Sequence, residues 1–533
     1  MSKNLTINEA KREEGVDTAF INQETGGQKD RKRKRRPRNG SWKKKSTNAD
    51  SWYNKFNQVN QAGKVSFMYS VGDLLRITNR QRYAQAGIIV FNTVTGPGPS
   101  GFNSKLDELV RLQYTELYSQ QTAATQIAGA DLEMYELAMD EAYSLYAEWK
   151  RIFGLLLSYS PVNKYTPKVI VEALGYNFDE LYKNKTKFEN ILDNFANSLR
   201  AYFVPTGNDL YAFHEEQFSR IYADCKSTRA KMYAFRKSVY RVWQDTTSEE
   251  GSMLQAKAYD NGGQLIGLSY IEAVAKEIFQ NMSQSESFNF ISALLGKVLG
   301  NNRYVLPKLD PNYETVAVLD ERKLMQIHNM MMVNELRFSR AQDTLDITQS
   351  VGANSIIYQP SATIAPGDRP LDNTYMYGVY NGNYVLDTNE EQPSETEIVH
   401  MSVYVPTVSI TGSAADQPIT VTLDSATCDY VTDATMWFYS YDGTNGEKVL
   451  KSESFSTLNT LNLIKLVDKL KVIDFEYAPQ MYFPITNADS LNNVIRIYNL
   501  DNPTAVSKEA LQLMNNVRQY SLNSLSLPMK QTR

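Results

Sequence analysis

Cysteine and histidine are scarce in this 533-residue chain: it has two of the first, Cys225 and Cys428, and three of the second, His214, His328 and His400. Two cysteines so far apart make neither a disulfide framework nor a zinc-ligand spacing, and they fit a reducing compartment. A tetrahedral zinc centre would need nearly all five residues to converge. Each is therefore read as a packing or surface residue, and no metal or other cofactor is expected. Long apolar runs are missing too. No stretch approaches the ~20 residues of a membrane span, so no transmembrane segment is expected. The opening "MSKNLTINEAKREEGVDTAF" lacks the apolar centre of a secretory signal.

Catalytic signatures are equally absent. There is no G-x-x-x-x-G-K-[ST], no G-x-S-x-G and no H-E-x-x-H. "GPGPSG" (96–101) satisfies a dinucleotide fingerprint literally, between an expected strand and an expected helix. Pro97 and Pro99, however, lack the N–H groups that cradle a pyrophosphate and restrict the tight turn. The segment is read as a rigid strand-to-helix connection. "FHEEQF" sets Glu215 and Glu216 beside His214, with Phe213 and Phe218 at helical spacing. That pattern predicts an amphipathic helix with a charged face rather than an acid–base pair. No enzyme, no catalytic residue and no small-molecule substrate is expected.

What the chain does have is a concentrated cation. "KDRKRKRRPRNGSWKKK" (29–45) holds eleven bases and one acid, a net of +10, in a protein whose overall charge is −4. The bases are Lys29, Arg31, Lys32, Arg33, Lys34, Arg35, Arg36, Arg38, Lys43, Lys44 and Lys45. Such density binds phosphate backbones by counterion release, without reading sequence, and Trp42 offers one aromatic for stacking. A nuclear localisation signal fits "RKRKRRPR" equally well, so composition alone leaves both readings open. Residues 1–48 carry too few large apolar side chains to offset the entropy of ordering and are expected to form a flexible arm. Trp52, Tyr53 and Phe56 are the first apolar anchor.

Beyond the arm, "AGIIVFNTV" (86–94) predicts a buried strand, and Asn103 or Ser104 caps the helix that follows. The clearest helix is "ADLEMYELAMDEAYSLYAEWKRIFGLLL", with Asp131 at its start. Leu132, Tyr135, Met139, Ala142, Tyr146, Trp149, Phe153 and Leu156 recur along it at steps of three and four. A helix over 167–174 has Pro167 in its first turn and Gly175 just past its end. Further helices are expected over 186–203, 211–243, 268–299 and 457–475, and residues 50 to about 300 read as mainly α. From about 350 the pattern alternates with period two and is cut by turns, Asn381-Gly382 among them. Between 355 and 446 there are twelve acids and one base, Arg369, a net of −11. Tyrosine is abundant, with 34 copies, a residue suited to cores and to subunit contacts.

In order along the chain, a basic arm is followed by "NADSWYNKF", "ADLEMYELAMDEAYSLY", "SPVNKYTPKVIVEALGYNFDELY" and finally "FEYAPQMYF". In this form and order the sequence resembles the capsid protein of a picobirnavirus, a small double-stranded RNA virus, most specifically at 131–182 and 474–483. The resemblance implies an icosahedral shell of sixty symmetric dimers, with the arm directed inward on RNA. It implies location in the virion, after synthesis and assembly in host cytoplasm. The expected fold class is α+β: a predominantly α-helical shell domain, an inserted β-rich projecting domain and a disordered basic N-terminal arm. The expected borders are 1–48 for the arm, 49–302 for the shell domain, 303–455 for the acidic projecting domain and 456–533 for a return to the shell. The expected partners are other copies of the chain and RNA. The alternative is a host nuclear or RNA-binding protein, not a capsid, that uses the basic segment as a localisation signal.

Overall fold

Residues 87–94 are apolar on both sides of the strand they form, and that accounts for the centre of the structure. In the computed structural model, Gly87–Val94 is an almost wholly buried strand. The structure describes residues 87–524, with breaks at 120–126, 161–164, 227–229, 248–250, 339–343, 366–378, 413–417, 442–447, 456–474 and 486–493 and a few shorter ones. It also describes the paired short strands Leu75–Arg76 and Arg82–Tyr83. Residues 69–533 are one compact unit, to which all that follows refers. The arm, its apolar anchor, all but the last residue of the expected helix over 457–475, and the turns at 381–382 and 442–447 lie outside the described residues.

The main sheet has six strands in the order Lys448–Phe455, Tyr430–Tyr441, Gly87–Val94, Met232–Lys237, Ile221–Ala223 and Ala317–Val318. Gly87–Val94 runs antiparallel to Tyr430–Tyr441 and parallel to Met232–Lys237. A parallel neighbour requires a long crossover, and the helices between residues 105 and 219 supply it. Period two then sorts the side chains. Ile88, Val90, Met232 and Ala234 join the core built on the helices, whereas Ile89, Phe91, Tyr233 and Phe235 face a second core with Tyr404, Met436 and Phe475. Strands on either side of residue 302 thus share one sheet.

The helices follow the sequence closely at their ends. In Lys105–Ser119, the Ser104 hydroxyl accepts from the Asp107 N–H at 3.2 Å, so Ser104 is the cap. Tyr165–Ala173 ends before Gly175, whose φ of +86° is left-handed and whose Hα side lies against the Arg236 guanidinium, 2.6 Å from where a Cβ would sit. The expected helix over 268–299 is two, Leu268–Gln284 and Glu286–Leu299. Ser285 ends the first and caps the second by accepting from the Phe288 N–H at 3.1 Å.

Helix over the whole of 211–243 is a misreading. Asp209–Ser219 is helical, but Met232–Lys237 and Val239–Asp245 are strands. Their Tyr, Phe, Val and Trp residues pair in sheets, and tertiary pairing overrides a pattern that helix and strand share over short apolar runs. Val379–Tyr380 and Asn383–Asp387 pair antiparallel in the register of a two-residue hairpin around 381–382. The helical and stranded elements together make the fold α+β.

Candidate functional site in the buried polar seam

The central helix, Gly129–Leu157, spans roughly 43 Å at 1.5 Å per residue. Asp131 does not cap its start from outside, as expected. It sits in the first turn and its carboxylate accepts from the Ala128 N–H at 3.2 Å. The apolar stripe from Leu132 to Leu156 is buried as the spacing predicts, with Trp149 donating its indole N–H to the Tyr259 hydroxyl at 2.7 Å. At 100° per residue, Glu133, Glu136, Asp140, Ser144, Glu148 and Arg151 cluster on the opposite face. A helix of this pattern ordinarily turns that face to water. Here all six are buried.

Glu136, Asp140, Ser144, Glu148 and Arg151 each meet a partner brought by another element. The Tyr211 hydroxyl donates to the Glu136 carboxyl. Glu148 accepts from the Tyr176 hydroxyl at 2.8 Å and the Lys237 N–H at 2.9 Å. Glu141 pairs with the Lys237 ammonium at 2.7 Å and lies 3.6 Å from Arg241. The Arg151 guanidinium donates to the carbonyls of Phe235 at 2.7 Å and Arg220 at 3.2 Å. His214, on the helix Asp209–Ser219 that Asn208 caps, lies 2.7 Å through Nδ1 from Asp140 and 3.0 Å through Nε2 from Asp429. Asp429 also accepts from the Gln217 amide at 2.7 Å. The Thr95 hydroxyl donates to Glu141 at 3.1 Å, so residues from Thr95 to Asp429 are stitched into one seam, which crosses the expected border at 302/303.

The chemistry of the seam is set by desolvation. Burial alone would push the His214 pKa down, but Asp140 and Asp429 outweigh it and hold it well above its ordinary value. Imidazolium donates from both nitrogens and has no lone pair left to act as a base. Cys428 lies 4.0 Å from His214 Nε2, and burial pushes its thiol up to about 12. Cys428, His214 and Asp140 therefore have the composition of a nucleophilic triad but the wrong protonation for one. His214, Cys428 and Asp429 also lie close enough to ligate one ion. Metal binding there would require removing a proton from both the imidazolium and the thiol. The expectation that these residues are scattered is corrected: two of the five converge, although 214 positions separate them.

Burial also pushes Glu133 and Glu136 up to about 8, helped by Glu136 beside the first and Asp140 beside the second, while the Tyr211 hydrogen bond opposes the rise at Glu136. Both stay protonated in the fold while an unfolded glutamate ionises near 4.5. The folded state then binds more protons between those values, so stability falls as pH rises through the window. His214 acts in the same sense, because its contribution is complete below 6.5 and is lost as pH rises through its raised value. Urea midpoints taken from about pH 5 to about pH 9 are expected to decline, and the Glu133→Gln/Glu136→Gln pair to flatten that decline. A midpoint that climbs with pH would show that these carboxyls are not buried together.

The other expected site residues separate into clear cases. All eleven bases from Lys29 to Lys45 lie outside the described residues. Glu215 and Glu216 are on the outer side of their helix, with Glu216 bound to Arg220 at 3.0 Å, which is the charged-face reading. His328 lies 3.0 Å from Asp387 and 2.9 Å from the Ala478 carbonyl. The "GPGPSG" segment is a strand-to-helix connection whose Pro97 and Pro99 carbonyls accept from Gln519 at 3.0 Å each. Gln519 belongs to the C-terminal helix Lys508–Asn523, so these prolines hold a helix, not a phosphate.

The seam joins residues from helices, strands and loops far apart in the chain, and so holds distant segments in one register. The family model for the picobirnavirus capsid protein matches residues 52–452. The chain belongs to the picobirnavirus capsid protein family. It is 23% identical over 487 residues to a capsid protein precursor of human picobirnavirus, covering 84% of this chain and 87% of that one. Its fold matches the crystal structure of the picobirnavirus capsid with a TM-score of 0.74 at 19% identity, over 90% of this chain and 98% of the other. This capsid protein is thus a structural component of the virion that assembles with copies of itself. Among the described residues no helix is long and apolar enough to cross a membrane.

Proposed function

We propose that the capsid protein assembles through dimers into an icosahedral shell of sixty dimers, and that residues 1–48 line its interior and bind packaged RNA. Family membership over 52–452 carries the shell reading, and the +10 on residues 29–45 carries the RNA reading. Synthesis and assembly take place in host cytoplasm. The host nuclear-protein alternative has no observation in its favour beyond the basic segment itself. Electron micrographs of the expressed chain test the proposal: uniform hollow particles are expected, and monomers alone would sink it.

The polarity of the shell follows from charge. Residues 355–446 carry −11 and are repelled by RNA phosphate if they face it, whereas outside they meet screening solvent. We place the outward surface within 303–455 and the shell within 49–302 and 456–533. Tyr430–Tyr441 and Lys448–Phe455 root that projection in the main sheet. A short epitope inserted at Thr444 is expected to be bound by antibody on intact particles. Binding seen only after disassembly would put the acidic segment inside or at a subunit contact.

A further inference from the structure

A cleft of about 380 Å³ opens between the helix Glu321–His328, the C-terminal helix and the helix that carries His214. That volume lies within the range of small-molecule sites. Phe213 and Leu522 give it apolar wall, and Lys323, Gln326 and Arg518 give it polar floor. Lys323 is buried and Arg518 half-buried, and neither is ion-paired with a carboxylate; Arg322 and His400 also line the cleft. The Lys323 ammonium donates to the Tyr404 hydroxyl at 3.2 Å and lies 5.2 Å from the Phe213 ring centroid. It has three protons, and this is its one hydrogen bond. Arg518 Nη1 and Nη2 donate to neutral acceptors, among them Thr427 Oγ1 at 2.9 Å and the Val399 carbonyl at 2.9 Å. Arg518 Nε is buried and has no hydrogen-bond partner. The acids at the rim are otherwise engaged: Glu216 holds Arg220 at 3.0 Å, and Asp320 accepts from the Lys323 N–H at 3.1 Å.

The second observation is Gln326. Its side chain is 7% exposed, lines the cleft, and its Oε1 is buried with no partner. A buried amide oxygen left unmatched costs about 1–3 kcal/mol, and unmatched buried groups in a cleft mark a place where a ligand completes the bonding. The missing partners are of two kinds. Lys323 and Arg518 call for an anionic acceptor, while Gln326 Oε1 calls for a donor. Burial lowers the pKa of both cations, Arg518 to about 10, and the nearby charges of Glu216 and Asp320 oppose the fall at Lys323 without cancelling it.

We propose that this cleft binds a phosphate group that also presents a hydroxyl, either inorganic phosphate or a small hydroxylated phosphomonoester. The phosphate oxygens accept from Lys323 and Arg518 Nε, and the hydroxyl donates to Gln326 Oε1. Hydrogen exchange of the full chain tests this with a readout separate from the arm, whose bases bind any anion. Inorganic phosphate, ribose 5-phosphate and sulfate are added at one ionic strength, sulfate being the anion without a hydroxyl at neutral pH. Peptides spanning 320–329 and 511–524 are expected to gain protection with one or both phosphates, at concentrations at least tenfold below those sulfate requires. Which phosphate protects at the lower concentration identifies the source. Gln326→Leu is expected to weaken the phosphate effect at least tenfold, with exchange elsewhere unchanged as the check on folding. If that variant does not fold, the comparison of phosphates with sulfate in the unaltered chain decides. No protection at these peptides, or equal protection by sulfate and the phosphates, overturns the proposal.

Discussion

Deleting residues 1–45 is expected to leave particles that form with little RNA inside. The deleted segment carries fourteen bases and six acids, so the chain passes from −4 to −12 when it is removed. The main sheet, the helices from residue 105 onward and the hydrophobic cores are built from residues 87–524. What the deletion removes is the counterion-release term. Affinity falls with log salt at a slope of about −0.9 per neutralised phosphate on a duplex, so ten net charges in seventeen residues give a steep dependence. The absorbance ratio at 260 and 280 nm of purified particles measures the outcome. Full-length particles should show a nucleic-acid ratio that declines when they are assembled at high salt, and truncated ones a protein ratio at any salt. A truncated particle with unchanged RNA would mean that the packaging surface lies in the folded body.

His214→Ala is expected to destabilise the subunit severely. The substitution leaves Asp140 and Asp429 facing each other across the space of the ring, each buried and stripped of the cation between them. Removing one partner of a buried ion pair costs about 3–5 kcal/mol, and here one residue serves two. The loss should appear as poor soluble yield and a lowered urea midpoint. Charge and packing can be separated, because Asp429→Asn relieves part of the repulsion and should recover part of the loss when combined with His214→Ala. Equal midpoints for His214→Ala and the unaltered chain would show that the pairing of His214 with Asp140 and Asp429 contributes nothing to stability. A deficit that Asp429→Asn leaves untouched would assign the loss to the cavity instead.

How much of this was readable beforehand depends on the range of the interaction. The strand at 87–94, the cap at Ser104, the turn at Gly175 and the long helix all follow from side chains within a few positions of one another, and all are present. The break at Ser285 was equally local, since serine is a preferred N-cap and an acid in the first turn such as Glu286 favours a helix start, but the apolar spacing on either side concealed it. Helix over 211–243 failed for the opposite reason. The strands there are stabilised by partners as distant as Gly87–Val94, and no local period announces such a partner. The seam was the least legible feature. Its acids sit on the face that spacing assigns to water, and the one hint was the 34 tyrosines, several of which supply the hydroxyls that satisfy it.

By itself the sequence determined the charge polarity of the chain, a cationic segment at 29–45 and an acidic stretch at 355–446, because formal charge is a property of composition. It also determined the apolar stripe of the central helix and the family, through motifs that survive in order along the chain. The tertiary structure alone decided that the opposite face of that helix is buried as well, and that His214 lies between Asp140 and Asp429. It also decided that the strand at 430–441 completes the sheet begun at 87–94. Each of these joins residues tens to hundreds of positions apart. The free energy of such a contact depends on the water excluded around it, and that is settled only when the distant segments pack.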